Sequence, residues 1–297
     1  MSAPVAYMAR TRAYYQALGY GAPYRWAQFD TVPFTRLPRP LSEARVGIVT
    51  TAAPFQKGKG EQGPGAPYNA AAKFFEVFAA PIAPMPDLRI SHIAIDRDHC
   101  RADDIGTYFP LVAAQRATNA GIIGTVSPRF YGLPTNRSQE TTRDVDCRHL
   151  VQLCAEDAID VAVLVPNCPV CHQSVSLAAR SLEAAGIATV IMGAAQDIVE
   201  HVDVPRLLFS DLPLGHAAGP PDDPKAQYDT LLRALALITG AGGPRTTAVS
   251  PHGWPGDPNW KQDYANAERL TPAEIAARKA AFDQGKATAA ARRSRKE

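Results

Sequence analysis

The sequence predicts an open α/β fold, in which a largely parallel sheet carries helices on both faces in a three-layer arrangement of the Rossmann-like or flavodoxin-like kind. Two observations support this prediction. Short apolar runs rich in β-branched residues alternate with helical patterns along most of the chain. Each run is also apolar at nearly every position, as expected of parallel strands buried on both faces. Extra helices are predicted at the N-terminal and C-terminal ends.

Six apolar runs bounded by turn residues predict the strands. They are RVGIVTTA (45–52), LRISHIAI (88–95), GIIGTV (121–126), IDVAVLVP (159–166), IATVIMG (187–193) and RLLFSD (206–211). Helices are predicted at 108–120, 141–157, 171–185 and 224–238. A further helix is predicted near Thr271, because Thr271 and Glu274 have the spacing of a capping box and Pro272 stands at the first helical position.

These elements divide the chain into three regions. Residues 1–40 hold an N-terminal helix and a proline-rich linker, residues 41–240 form the α/β domain that carries the site, and residues 241–297 form a C-terminal loop and helix with a basic tail. We expect the tail to be solvated rather than a binding patch, and the protein to be a homo-oligomer.

Composition argues against several classes of protein. The chain of 297 residues is 46% hydrophobic and 20% charged, which is typical of a globular protein with a large core. A formal net charge of +2 is too small to indicate a nucleic-acid or membrane partner. The first 20 residues lack the apolar core of a secretory signal, so we expect a cytoplasmic protein. The 5 cysteines are then expected to be thiols rather than a disulfide framework.

Ligands of open parallel sheets bind outside the carboxyl ends of the strands, and the loops that follow the predicted strands are polar. The candidate residues in these loops are Asp98, His99, Arg129, Tyr131, Asp211 and His216. A planar guanidinium at Arg129 could clamp a carboxylate or form an ordinary surface ion pair. The acidic group around His99 could bind a ligand or be a solvated turn, and His216 could be a general acid or a histidine held by backbone groups.

The pentapeptide CPVCH (168–172) follows the predicted strand 159–166. Its pattern fits a c-type haem attachment site, half of a zinc site or a redox-active thiol pair. Haem attachment of this kind belongs to exported chains, and a structural zinc needs ligands that no second CxxC supplies. The N-terminus of a helix stabilises a thiolate, which favours the thiol pair. Cys168 is then the expected nucleophile and Cys171 the resolving partner, with the reverse order left open, while His172 stabilises the thiolate or donates a proton.

Three segments carry a resemblance to a known family: GIIGTVSPRFYG (121–132), the CPVCH segment and SDLPLGHAAGPPDDP (210–224). Over roughly residues 41–262 the chain is similar to the glycine/sarcosine/betaine reductase selenoprotein B and D-proline reductase family. The resemblance implies an oxidoreductase in which a selenocysteine of this loop attacks the substrate carbon, and in which a pyruvoyl group on a separate subunit activates amine substrates. This chain has cysteine at both 168 and 171, so it resembles a cysteine-containing, selenoprotein B-like homologue.

The leading hypothesis is therefore a dithiol-dependent reductase that cleaves a carbon–heteroatom bond, of the C–N type, in a small amino-acid-like or carboxylate substrate. In this hypothesis His172 or His216 supplies a proton, and Arg129, Tyr131, Asp211, Asp98 and His99 surround the substrate. We expect no bound cofactor and no metal, but a dithiol electron donor and a partner subunit or thiol reductant. The alternatives are a non-catalytic zinc-binding or redox-sensing subunit and a thiol-using lyase or desulfurising enzyme.

Overall fold

A computed structural model describes residues 3–90, 92 and 94–293. The strands found within these residues are β1 Arg45–Thr50, β2 Ala53–Pro54, β3 Phe78–Pro81, β4 Leu88–Arg89, β5 Thr125–Val126, β6 Arg129–Gly132, β7 Val161–Val165, β8 Ala188–Gly193, β9 Arg206–Phe209 and β10 Thr246–Val249. Eight of them form one sheet in the order β10-β9-β8-β7-β1-β6-β3, with β5 also paired to β1. Strands β2 and β4 form a separate antiparallel pair.

The main sheet is parallel at every pairing except one. Strands β10, β9, β8, β7, β1, β5 and β6 pair in parallel, and only the edge strand β3 runs antiparallel to its neighbour β6. The carboxyl ends of the parallel strands therefore meet at one edge of the sheet, which is where an α/β protein places its ligand site.

Helices alternate with the strands as the sequence predicts. They are α1 Tyr7–Ala17, α2 Leu111–Asn119, α3 Gln139–Thr141, α4 Cys147–Glu156, α5 Pro169–Ala184, α6 Gln196–Val202, α7 Pro224–Gly240, α8 Trp260–Asp263 and α9 Pro272–Arg293. A π-helical segment, Thr142–Asp146, joins α3 to α4 without a break. Such segments are rare and are frequently found near functional sites.

The two faces of β7 show how the layers are built. Val161, Val163 and Val165 belong to the hydrophobic cluster that includes α2 and α7. Ala162 and Leu164 point to the opposite face and join the cluster that includes α4 and α5. Because successive side chains of a strand alternate between faces, a strand with five buried residues must be covered on both sides. The predicted three-layer α/β fold is confirmed.

The sequence prediction fails at one strand and misses three strands of the main sheet. The run 88–95 does not form a strand of the main sheet: only Leu88–Arg89 is extended, in the small sheet with β2, and residues 97–99 form a turn. Strands β3, β6 and β10 were not predicted, and β10 extends the sheet past residue 240, where the sequence pattern indicated only loop.

The proline-rich linker is fixed to the domain by a buried ion pair. Arg206 of β9 and Glu183 of α5 are completely buried and lie 2.7 Å apart. Arg206 also donates to the carbonyl oxygen of Thr35 at 2.7 Å, while Glu183 accepts hydrogen bonds from the backbone and side chain of Thr189, at 2.6 and 2.8 Å. The pair thus joins the linker, α5, β8 and β9 at one buried point.

Among residues 3–90, 92 and 94–293, no helix combines the length and the apolar character that crossing a lipid bilayer requires.

Candidate active site

The cysteine pair lies at the turn from β7 into α5. Cys168 is the N-cap residue of α5 with extended backbone angles, and Pro169 begins the helix. The Sγ atom of Cys168 accepts a hydrogen bond from the backbone N–H of Cys171 at 3.3 Å, as an N-cap side chain does for the third helical residue. Asn167 anchors the turn to β1, since its backbone and side-chain N–H groups both donate to Thr51, at 3.1 and 3.0 Å. Local sequence alone therefore places both sulfurs at the first turn of a helix.

Two further side chains complete a compact group around Cys171. The hydroxyl oxygen of Thr135, in the loop after β6, lies 3.1 Å from the Sγ atom of Cys171 and 3.4 Å from Nε2 of His92. The two sulfurs and a ring nitrogen of His92 all lie within 4.8 Å of one another. We call the four residues Cys168, Cys171, Thr135 and His92 the thiol cluster.

The thiol cluster favours a single negative charge, on Cys171. Burial opposes that charge, but the hydrogen bond from the Cys168 thiol, the field of His92 and the hydrogen bond from Thr135 outweigh it, and they hold the pKa of Cys171 well below its usual range. Burial and the hydrogen bond to Cys171 raise the pKa of Cys168 well above its usual range. The pair therefore shares one proton, carried by Cys168.

A cavity of about 640 Å³ lies against Cys168. Cys168, His92 and Thr135 form part of its wall. Its charged lining residues are five basic ones and two acidic ones, namely Lys73, Arg97, Arg137, Arg278 and Lys286 against Asp96 and Asp98. This balance favours a ligand that carries negative charge.

Part of the cavity wall is aromatic and comes from distant parts of the chain. Tyr15 of α1 and Phe282 of α9 meet edge to face, with ring centroids 5.4 Å apart. The guanidinium of Arg137 lies 5.5 Å from the Tyr15 ring centroid and 5.4 Å from that of Phe282, and it donates a hydrogen bond to the Tyr15 hydroxyl at 3.0 Å. Helices α1 and α9 therefore help enclose the cavity that Cys168 faces.

His172 is next to Cys171 in sequence, but the contacts of its ring are structural. Its Nδ1 lies 2.8 Å from the carbonyl oxygen of Cys168, and its Nε2 accepts hydrogen bonds from the backbone N–H groups of Ala194 and Ala195, at 2.9 and 3.1 Å. Burial lowers the pKa of His172 to about 4. Both ring nitrogens contact backbone groups, so this histidine ties the start of α5 to the turn after β8, and it is not among the residues that line the cavity.

His216 and Asp211 follow β9 at the carboxyl edge of the sheet, but neither is among the residues that line the cavity. His216 is buried against Trp254, with ring centroids 4.9 Å apart. Burial lowers the pKa of His216 to about 4. Asp211 is engaged in an ion pair with Lys261 of α8.

The acidic turn after β4 contributes one of its two predicted site residues to the cavity. Asp98 is part of the wall, beside Asp96 and Arg97. His99 is held between two carboxylates, at 3.0 Å from Asp96 and 3.5 Å from Asp263, and is not among the lining residues.

Arg129 and Tyr131 are held away from the thiol cluster. Arg129 begins β6 and makes a bidentate ion pair with Asp157, in which Nε donates to Oδ2 and Nη2 donates to Oδ1, both at 2.9 Å. The Tyr131 hydroxyl donates to the same carboxylate at 2.6 Å. Asp157 comes just before β7, and its carbonyl oxygen accepts a hydrogen bond from Arg45, the first residue of β1. These residues therefore gather at the amino end of the strands, opposite the edge that carries Cys168. The structure does not bring Arg129 and Tyr131 to the site.

Sequence reasoning missed His92, Thr135 and Arg137. His92 lies in the run 88–95, whose apolar neighbours concealed it inside a predicted strand. Thr135 and Arg137 lie in GLPTNRS (132–138), directly after β6. Recognition of β6 would have placed them at the carboxyl end of a strand and would have placed Arg129 at its start.

Fold and site together define a class: an α/β protein with two hydrogen-bonded thiols at a helix N-terminus, facing an enclosed cavity. The chain is 26% identical over 214 residues to D-proline reductase subunit gamma of Acetoanaerobium sticklandii, a match that spans 70% of this chain and 85% of that subunit. It is 22% identical over 235 residues to glycine reductase complex component B subunit gamma of Symbiobacterium thermophilum, which covers 74% of this chain and 52% of that protein. The chain is therefore a cysteine-containing homologue of these two reductase subunits.

No family model matches the chain. No solved structure matches it either. The similarity to known proteins therefore rests on these two relatives, both of which are named as subunits of reductases.

Proposed function

We propose that the protein is a subunit of a dithiol-dependent reductase that cleaves a carbon–heteroatom bond in a small amino-acid-like or carboxylate substrate. One observation carries the proposal: Cys168 faces a cavity of about 640 Å³ while its neighbour Cys171 holds the negative charge of the pair. The relatedness to reductase subunits supports the same chemistry.

Cys168 is the attacking sulfur in this proposal because it lines the cavity and Cys171 does not. Transfer of the shared proton from Cys168 to Cys171 creates the nucleophile at the cavity wall. The Cys168 thiolate then displaces the leaving group from the substrate carbon and forms a carbon–sulfur bond. The proton held by Cys171 leaves with the departing amine.

Cys171 completes the reduction. Its thiolate attacks the sulfur of Cys168, a disulfide forms, and the carbon–sulfur bond breaks with its electron pair left on carbon, which takes up a proton from solvent. The two thiols together supply two electrons: R–NH₃⁺ and two thiols become R–H, ammonium and one disulfide. An external dithiol reductant restores the pair. The pyruvoyl group implied by the resemblance belongs to another subunit, so no residue of this chain is assigned to hold it.

The basic wall of the cavity supplies the substrate site. Arg137 is the best-placed cation, because it follows Thr135 in the same loop and is held in position by Tyr15 and Phe282. Arg97 lies on the wall beside His92 and donates a hydrogen bond to the carbonyl oxygen of that residue. We assign the substrate carboxylate to this side of the cavity, in place of the Arg129 site expected from the sequence.

The test is to trap the covalent intermediate. Reduced protein freed of metal by a chelator is incubated with a panel of amino acids and other α-substituted carboxylates, and mass spectrometry locates any adduct. In Cys171→Ser the thioether on Cys168 cannot be resolved by a second thiol, so it accumulates. Cys168→Ser is expected to form no adduct, and Cys154→Ser, a change at a buried cysteine of α4, is the matched control.

Release of the amine and loss of two thiols per turnover are measured in the same reactions. An adduct on Cys171 in Cys168→Ser would reverse the assignment of the sulfurs. If neither single variant forms an adduct, and the parent protein and Cys154→Ser release no amine from any compound in the panel even with a dithiol reductant present, the proposal is refuted.

A further inference from the structure

The thiol cluster contains the ligand types of a metal site as well as the two thiols of a redox pair. Two sulfurs and one imidazole nitrogen lie within 4.8 Å of one another. Thiolate and imidazole ligands in this combination suit Zn²⁺, which prefers four-coordinate tetrahedral geometry. With bonds of about 2.3 Å to sulfur and about 2.0 Å to nitrogen, a tetrahedral zinc needs ligand atoms about 3.6–3.8 Å apart. A contraction of about 1.2 Å or less in each pair would therefore form the site.

The environment of His92 supplies a second, independent observation. Its Nδ1 atom is buried and has no hydrogen-bond partner. Buried polar atoms are nearly always hydrogen-bonded, so an imidazole nitrogen of this kind, on a ring beside two sulfurs, is a ligand available to a metal. Nε2 lies 3.4 Å from the Thr135 hydroxyl. A hydrogen bond from the second ring nitrogen to a neighbouring oxygen is the arrangement that fixes the ring of a metal-binding histidine.

The backbone around the sulfurs is also suited to hold a metal. The N–H of Cys171 donates to the Sγ atom of Cys168, which stabilises the negative charge that a ligating thiolate needs. Asn167 fixes the turn through its hydrogen bonds to Thr51, and Arg97 binds the carbonyl oxygen of His92. Cys168 and His92 both line the cavity, so the fourth coordination position would face the cavity, where a water molecule or an anionic ligand could occupy it.

We propose that Cys168, Cys171 and His92 form a Zn²⁺ site with one coordination position open to the cavity, and that bound zinc withholds both sulfurs from thiol chemistry. The same three residues would then either hold zinc or carry out reduction, so free zinc acts as an inhibitor that competes for the dithiol. The inference goes beyond the proposed function and does not depend on it, because metal binding requires no substrate.

Metal titration of the reduced, chelator-treated protein tests the proposal. We expect one Zn²⁺ per chain in competition with a chromophoric chelator. Co²⁺ is expected to give thiolate charge-transfer absorption and the intense visible bands of a tetrahedral site. One equivalent of Zn²⁺ should also protect Cys168 and Cys171 from iodoacetamide.

Variants separate the three-residue site from binding by the thiol pair alone. We expect Thr135→Val to weaken Zn²⁺ binding about 10- to 100-fold, the range typical of groups that orient a metal-binding histidine. His92→Gln is expected to weaken it at least as much, and His92→Cys to restore it by supplying a third sulfur. His99→Gln, a change in the neighbouring turn, is the matched control and should bind as the parent does. Circular dichroism verifies that each variant is folded.

Two results would overturn the inference. One is the lack of stoichiometric Zn²⁺ binding by the folded, reduced parent protein. The other is unchanged zinc affinity in folded His92→Gln, which would assign the metal to the cysteines alone. Neither result bears on the covalent adduct sought with chelator-treated protein, so failure of the zinc site and failure of the reductase are distinguishable.

Discussion

His216 offers a quantitative test of how the structure sets protonation in the core. Its side chain is buried against Trp254, and the backbone of Pro213 and the carboxylates of Asp104 and Asp103 favour its charged form too weakly to compensate for burial. The pKa is therefore lowered to about 4 in the folded protein, against about 6.5 in the unfolded chain. The folded state thus keeps this histidine neutral at a pH where the unfolded state already protonates it.

The sign and size of the effect follow from linkage. Since the unfolded chain binds more protons between pH 6.5 and 4, stability is complete above about pH 6.5 and is lost as the pH falls toward 4. The full difference between the pKa values of His216 in the folded and unfolded states corresponds to about 3.4 kcal/mol, at about 1.4 kcal/mol per pKa unit. Relative to high pH, the free energy of unfolding is lower by about 1.4 kcal/mol at pH 5.5 and by about 2.6 kcal/mol at pH 4.5. His216→Gln should remove this pH dependence, whatever its effect on stability at pH 7.

The assay is urea unfolding of the parent, His216→Gln and the control His149→Gln at pH 7.0, 5.5 and 4.5. His149 is exposed on α4, so its replacement should leave the pH profile as it is in the parent. The parent should lose about 2.4 kcal/mol more than His216→Gln between pH 7.0 and 4.5. If the unfolding free energies of the parent and His216→Gln change in parallel with pH, the pKa of His216 is not lowered by burial. His216 would then be able to exchange protons with a ligand near neutral pH.

Three further predictions concern packing and ion pairs, each measured by urea unfolding at pH 7. Arg206→Met should lower the free energy of unfolding by about 3–5 kcal/mol because Glu183 is left charged and buried, and adding Glu183→Leu to the same chain should recover most of that loss. A loss below about 1 kcal/mol in Arg206→Met alone would contradict this prediction. Arg129→Leu should destabilise the protein without changing the iodoacetamide labelling rate of the thiols, and a changed rate would place Arg129 at the site. Gly132→Ala should cost about 1–3 kcal/mol because its Cβ would lie 2.0 Å from the Phe78 ring, and Phe78→Ala should relieve the clash.

The sequence predicts the parts of the fold that depend on local pattern. Strand β7 is recognisable because five consecutive apolar residues can be buried only by helices on both faces. The start of α5 is recognisable because Cys168 and Pro169 have the residue types of an N-cap and a first helical position. The same local signals place both sulfurs of the site correctly.

The remaining site residues depend on contacts that no local pattern encodes. His92 was hidden in a run with the composition of a strand, yet only its first two residues pair, and they do so in a separate sheet. Arg129 has the chemistry of a carboxylate clamp, but Asp157, distant in sequence, already occupies it. The four-residue strand β6 was too short to recognise from periodicity, and for that reason Thr135 could not be placed at the carboxyl edge of the sheet.

The contribution of α9 to the cavity has a consequence for protein synthesis. The ribosome completes β7 and α5 long before it makes α9, so the sheet can fold around the cysteines while the side of the cavity formed by Phe282 is still absent. During that interval the dithiol is open to metal ions and oxidants of the cell. A nascent chain stalled before residue 272 should therefore label faster with iodoacetamide at Cys168 than the released protein does.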